Sequence, residues 1–406
     1  MNWRFLEKRG LNLSIIVFSV LGIFLWLATD GKISLITSDI DMYNHYVITR
    51  FPGIASESAY AIEALSERIS YFQETGWTPS PVYSLVFLSP IWLFNSEFLL
   101  WLLGMAMGVG TLLLLAIVLN KNFGFLPNAA KSVVLLLYPL NFNFLVDSVG
   151  VSTMSVAAFF VIGAFASANR YLKSFLLVIA AMIRSNFLIA LLALYLACFV
   201  VGLPRKRQLL LDCVPALIVS LLFYRFFYST YPGGGLNYLL FAKFQGIDYA
   251  IPFSRYLLDS LYGVTDVDAM NYAMSIGDSL RLLARFDSLA YLFNLSVLKL
   301  SITLGFIHEK LFQSEWGFHL TKLWRTIGFL GLTLPGFYSS VFLLGVAKIT
   351  ALEKCAYLWS ILYLLMNSLL IGDPRYLMGT YFILSIALVR IWLLVRGGVS
   401  EVACKQ

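Results

Sequence analysis

The sequence predicts an all-α polytopic integral membrane protein, and three observations carry that reading. Hydrophobic residues make up 60% of the 406 and charged residues only 13%, about half the share of a soluble domain. The apolar residues gather in runs separated by short basic clusters, the positive-inside pattern of cytoplasmic loops. Aromatic residues reach 16%, which suits helices in lipid with rings at the headgroup level.

These features also exclude alternatives. The net charge of +7 sits in clusters between apolar runs rather than on one basic face, so nucleic acid is not an expected partner; membrane lipids are. Cysteines occur only at positions 198, 213, 355 and 404, a spacing that suggests neither a disulfide framework nor a Cys/His metal site.

The first apolar run, Leu11 to Ala28, follows Arg4, Lys8 and Arg9 and passes into Thr29-Asp30-Gly31-Lys32 without a small-residue cleavage site. It reads as a retained helix with a cytoplasmic N-terminus. Lys121, Arg170/Lys173 and Arg205-Lys206-Arg207 also belong in the cytoplasm, so an even number of crossings separates each neighbouring pair. Of the runs 11–28, 81–94 and 98–119, only two can then cross. The run 81–94 is short and holds Pro90, as expected of an interfacial or re-entrant helix. The first outer loop therefore covers 30–97. Within it, residues 55–73 place apolar side chains at helical spacing, the pattern of a helix on the membrane surface.

A helix over 129–146 goes out and one over 151–168 returns. Shorter runs follow at 174–183 and 187–201, with Arg184-Ser185-Asn186 at their outer junction, then a helix over 209–230 carrying Arg225. From Pro232 to Asp287 the chain is polar and forms a second outer loop. Apolar runs at 288–307, 326–346, 355–371 and 377–395 complete it, with Lys348, Lys354, Arg396 and Lys405 cytoplasmic and Asp373-Pro374-Arg375-Tyr376 outside. Parity leaves two solutions: 288–307 spans incompletely, or a crossing hides in 236–262. The total is about ten to twelve spans. The chain divides into an N-terminal membrane module over 1–230, the outer loop 231–287, and C-terminal helices over 288–406.

The densest polar cluster, Ser38 to Tyr46, begins soon after the first helix. Asp39 and Asp41 can act as general base and helper, or ligate Mg²⁺ or Mn²⁺; the plainer reading is a solvated helix-end loop. His45 fits an acid/base role or a histidine satisfied locally. Arg184, Arg225, Lys299 and Arg375 each lie in or beside an apolar run. Such cations recognise phosphate, or snorkel to the interface.

The order of these features resembles the GT-C superfamily of polyprenyl-phosphate-sugar-dependent glycosyltransferases, in particular bacterial relatives of protein O-mannosyltransferases and aminoarabinose transferases. Ser38-Asp39-Ile40-Asp41-Met42-Tyr43 is similar to the family's acidic motif, although Ile40 separates carboxylates that are adjacent in many members. Thr78-Pro79-Ser80-Pro81-Val82-Tyr83 with Leu93-Phe94-Asn95-Ser96-Glu97-Phe98 is similar to its proline-rich interfacial helix and following turn. Ala180-Ala181-Met182-Ile183-Arg184-Ser185-Asn186 resembles its arginine junction, with Ser185 where proline is usual. Lys299 falls where a basic residue commonly interrupts a helix, and Asn367 to Tyr376 is close to its late Gly-acidic-Pro-Arg-Tyr element.

The resemblance implies a GT-C-like bundle in the bacterial inner membrane, with both termini cytoplasmic and the site extracytoplasmic. It implies a polyprenyl-phosphate sugar as donor and a glycolipid, polysaccharide or protein as acceptor. Asp39 is then the favoured base and Asp41 its helper. Tyr43, His45, Arg184, Arg225, Lys299, Arg375 and Tyr376 line the substrate site, and no cofactor is certain beyond a possible divalent cation. Two rival classes share the hydropathy pattern: an O-antigen-type polysaccharide polymerase, and a lipid or sugar transporter or flippase, which would favour inverted repeats. A reporter active only outside the cytoplasm should work when fused within 232–287 and stay silent after Lys121; activity after Lys121 would overturn this topology.

Overall fold

The computed structural model describes residues 3–32, 80, 82–184, 186–203, 327–347, 349–370 and 380–395, with short pieces at 214–215, 218–219, 222, 243–244 and 247–248. Among these residues the chain is helical, apart from connecting turns and one small antiparallel ladder. That ladder joins β1 (Lys243–Phe244) to β2 (Ile247–Asp248), with Lys243 opposite Asp248.

The helix α1 covers Trp3–Ala28 and stops at Thr29, whose hydroxyl donates to the Leu25 carbonyl. A π-helical turn at Tyr83–Phe87 leads into α2 (Ser89–Phe94), and Pro90 falls in its first turn, where a missing N–H costs nothing. The pair is far too short for the roughly 30 Å hydrocarbon core, in keeping with the reading of 81–94 as a run that does not cross. The next helix, α3, runs Glu97–Asn122, and the Ser96 hydroxyl accepts from the Leu99 N–H at its start.

The single helix expected over 129–146 is instead two. α4 (Asn128–Leu140) and α5 (Phe142–Val149) meet at a 63° bend. Pro139 lacks the N–H that would continue the ladder, and the Asn141 carboxamide oxygen accepts from the N–H groups of Asn143 and Phe144 to start a new helix. Then come α6 (Thr153–Ala166), α7 (Arg170–Ile183) and α8 (Asn186–Val201). A second π-helical stretch, Phe329–Thr333, precedes α9 (Leu334–Leu344), followed by α10 (Ala351–Leu370) and α11 (Tyr381–Val395).

Among the described residues two helices are long and apolar enough to cross a bilayer, Arg9–Ala28 within α1 and the whole of α3, and the α4/α5 pair is a third if counted as one span. The exposed side of α1, with Ile16, Val20, Phe24 and Leu27, presents bare hydrocarbon. A soluble chain would bury such a face, whereas lipid would cover it on a membrane-spanning helix. The described residues form a helical fold with two candidate membrane spans.

The helices form one bundle. α1 lies along α4 and α3; α3 also meets α5 and α6; α6 packs on α7, α8 on α10, and α9 on α10 and α11, while α11 reaches back to α4. Where helices approach closely, a small residue makes room. A Cβ on Gly104 of α3 would stand 2.5 Å from the Ser148 carbonyl oxygen and 2.6 Å from that of Val149. A Cβ on Gly336 of α9 would stand 2.8 Å from the Leu384 carbonyl oxygen of α11.

One buried ion pair ties three parts together. Glu353 of α10 is fully buried, and its Oε1 accepts from Arg390 Nε of α11 at 3.0 Å. Its Oε2 accepts from the N–H and hydroxyl of Thr350, each at 3.0 Å, while the Glu353 N–H donates back to Thr350 Oγ1, a reciprocal cap. The Arg390 guanidinium also lies 5.2 Å from the centre of the Phe125 ring, in the link between α3 and α4. Replacing Glu353 by Leu alone should destabilise the protein by about 3–5 kcal/mol, because Arg390 keeps a buried uncompensated charge; Glu353→Leu with Arg390→Met should recover most of it. Thermal unfolding in detergent reads both.

Candidate functional site

The described polar groups concentrate where α5 ends, α6 begins and α7 passes to α8. α5 closes with a full Schellman motif. The Ser152 N–H donates to the Asp147 carbonyl at 2.8 Å, and the Val151 N–H donates to the Ser148 carbonyl at 3.1 Å. The left-handed position of this motif falls on Val151, at φ 50°, one residue beyond Gly150. A β-branched residue there is an outlier.

The strained turn is held from several sides. Tyr83, fully buried, donates its hydroxyl to the Val151 carbonyl. Ser152 caps α6 by accepting from the Ser155 N–H, and the Ser155 hydroxyl returns to the Asp147 carbonyl at 2.7 Å. Gly104 of α3 brings its backbone against Ser148 and Val149. The Asp147 side chain is buried, as are Ser84 and Thr153. A carboxylate in apolar sequence is expensive and marks a functional position by default.

The same segment reaches the arginine junction. The Ser80 hydroxyl accepts from the Tyr83 N–H and donates to the Met182 carbonyl at 2.7 Å, in the last turn of α7. Arg184 follows as the extended C-cap of α7, half-buried; its N–H donates to Ala180 and its carbonyl accepts from Phe187, across the break into α8. Ser80 and Tyr83 thus connect the Asp147 turn to the Arg184 junction. Asn143 of α5 extends the cluster to α11 by donating to the Tyr381 hydroxyl at 3.0 Å.

α8 and α10 run antiparallel. The Trp359 indole N–H donates to the Ala190 carbonyl at 2.8 Å, and further along the pair Cys198 faces Cys355. Asn186 stands twelve residues before Cys198 and Asn367 twelve after Cys355, about 18 Å along each helix. The start of α8 and the end of α10 therefore lie at one end of the pair.

Of the residues assigned a catalytic or substrate-binding role from the sequence, Arg184 is the one within the described part. Asp39, Asp41, Tyr43, His45, Arg225, Lys299, Arg375 and Tyr376 lie outside the described residues, as does the surface helix expected over 55–73. Among the described residues no group of three His, Cys, Asp or Glu could hold a metal ion. Sequence reasoning missed Asp147, although a signal was present: it is the sole charged residue between Lys131 and Arg170.

Comparison with family models, with curated proteins and with solved structures finds no match for this chain. Any functional reading therefore rests on the residues themselves. Val151→Gly should be more stable than Val151→Ala by about 1 kcal/mol, because both lose the buried side chain and only glycine is unstrained at positive φ. A glycine variant no more stable than the alanine variant would show that position 151 carries no strain.

Proposed function

We propose that this protein is a GT-C-like glycosyltransferase with ten to twelve membrane spans, which moves a sugar from a polyprenyl-phosphate donor to a glycolipid, polysaccharide or protein acceptor on the extracytoplasmic face. The reading draws its residues from the resemblance, and one observation supports it above others. The antiparallel α8/α10 pair has at one end both the Arg184 junction that precedes α8 and the start of the segment, five residues beyond Leu370, that holds Arg375. The Arg184 cation at that end suits a lipid phosphate, and Arg375 is added to it from the sequence.

In this mechanism Asp39, with Asp41 beside it, takes the proton of the acceptor hydroxyl. The acceptor oxygen bonds to the anomeric carbon, the bond from that carbon to the phosphate oxygen breaks, and the lipid phosphate leaves. Arg184, Arg375 and Lys299 neutralise its growing charge. Tyr43, His45, Arg225 and Tyr376 complete the substrate site. Mg²⁺ or Mn²⁺ held by the two aspartates is compatible with the scheme but not required, since arginines can balance a monophosphate.

Transport is the second reading, favoured by the break between α4 and α5 beside buried Asp147, because broken helices near buried charge are a transporter habit. Membranes carrying the protein should transfer labelled sugar from a polyprenyl monophosphate. Asp39→Asn should lower the rate by about 10²–10⁴-fold, and Arg184→Ala or Arg375→Ala should chiefly raise the donor KM. Movement of the sugar lipid with no new glycosidic bond would establish transport instead. Polymerisation from lipid pyrophosphate donors alone would establish the polymerase class.

A further inference from the structure

We propose that Cys198 and Cys355 are an oxidisable dithiol, which a peroxide converts to a disulfide joining α8 to α10. Their sulfurs stand 3.1 Å apart across the packed face of the two helices, and both side chains are buried, Cys198 at 6% and Cys355 at 3% exposure. A bond of about 2.05 Å requires closing by only about 1 Å. The register that aligns them is held by the Trp359 indole on the Ala190 carbonyl, and the Trp359 ring is itself packed against Phe165 of α6. The sulfurs therefore face each other as a consequence of helix packing, and neither can turn away without disturbing it.

The reaction balances with hydrogen peroxide as oxidant. Cys198, the more exposed sulfur, attacks one peroxide oxygen. An S–O bond forms, the O–O bond breaks, and the departing hydroxide takes the thiol proton as water. Cys355 then attacks the sulfenic sulfur of Cys198. The S–S bond forms, the S–O bond breaks, and the second water carries off that oxygen with the Cys355 proton. The two sulfurs together give up two electrons and one peroxide becomes two waters. Because Cys355 already touches its target, the sulfenic acid is trapped as disulfide before further oxidation. The bond would close a loop of 157 residues, and long loops gain most from cross-linking in the chain-entropy account.

The inference is independent of the glycosyltransferase reading, and its test needs no activity. The full chain with Cys213→Ala and Cys404→Ala, purified in detergent, is titrated with hydrogen peroxide, denatured and alkylated with N-ethylmaleimide. Both alkyl adducts should disappear together, with the intact mass reduced by two hydrogens, the unfolding midpoint raised, and all three changes reversed by dithiothreitol. Cys355→Ala in the same background should abolish the two-hydrogen loss and the midpoint shift. Full alkylation of both thiols after peroxide, or stepwise gain of oxygen mass without loss of hydrogens, would overturn the pairing.

Discussion

A backbone N–H or C=O inside hydrocarbon has no water to turn to, so every interruption of a helix must be satisfied by the protein itself. This constraint governs the described structure. At the bend between α4 and α5, the Asn141 side chain takes up two N–H groups. At the turn between α5 and α6, a Schellman motif and the Ser152 cap do the work, with Tyr83 on the Val151 carbonyl. At the break between α7 and α8, the Ser80 hydroxyl supplies the Met182 carbonyl. The side chains that repair these breaks also fix where Asp147 and Arg184 stand, so solvation of the backbone and construction of the site are one arrangement.

The helices legible in the sequence were those whose ends coincide with a change from apolar to polar residues. The run 98–119 became Glu97–Asn122 because Ser96 and Glu97 announce a cap, and 187–201 became Asn186–Val201. The bend at Asn141 was not legible, since one asparagine and one proline in an apolar run do not look like a turn until the carboxamide is seen to cap. Gly150 misleads as well, because the left-handed residue is its neighbour Val151. Glu353 and Arg390 are 37 residues apart, and their pairing depends on how α10 meets α11. Of the candidate site, Arg184 was legible from its place between two apolar runs; Asp147 was not singled out.

Packing divides the labour between small residues and aromatic ones. Gly104 and Gly336 let backbones nearly touch at α3/α5 and α9/α11, which replaces the hydrophobic drive that lipid does not provide. Rings fill the wider gaps: Phe144 lies between Phe18 and Tyr138, with centroids 5.6 and 4.3 Å away, and Trp26 leans on Trp101. Through the contact of α11 with α4, the last described helix closes on the first half of the chain rather than forming a separate body.

The Glu353–Arg390 pair has a consequence for biogenesis. Either charge buried without the other costs several kcal/mol. α10 leaves the ribosome before α11, so Glu353 is committed first, while its partner is still being translated. The two helices are best packed together as a hairpin, with the carboxylate held by its Thr350 cap until the guanidinium arrives. A chain cut short between them would be left with a buried acid lacking its cation, which makes α11 a condition for the stable packing of α10.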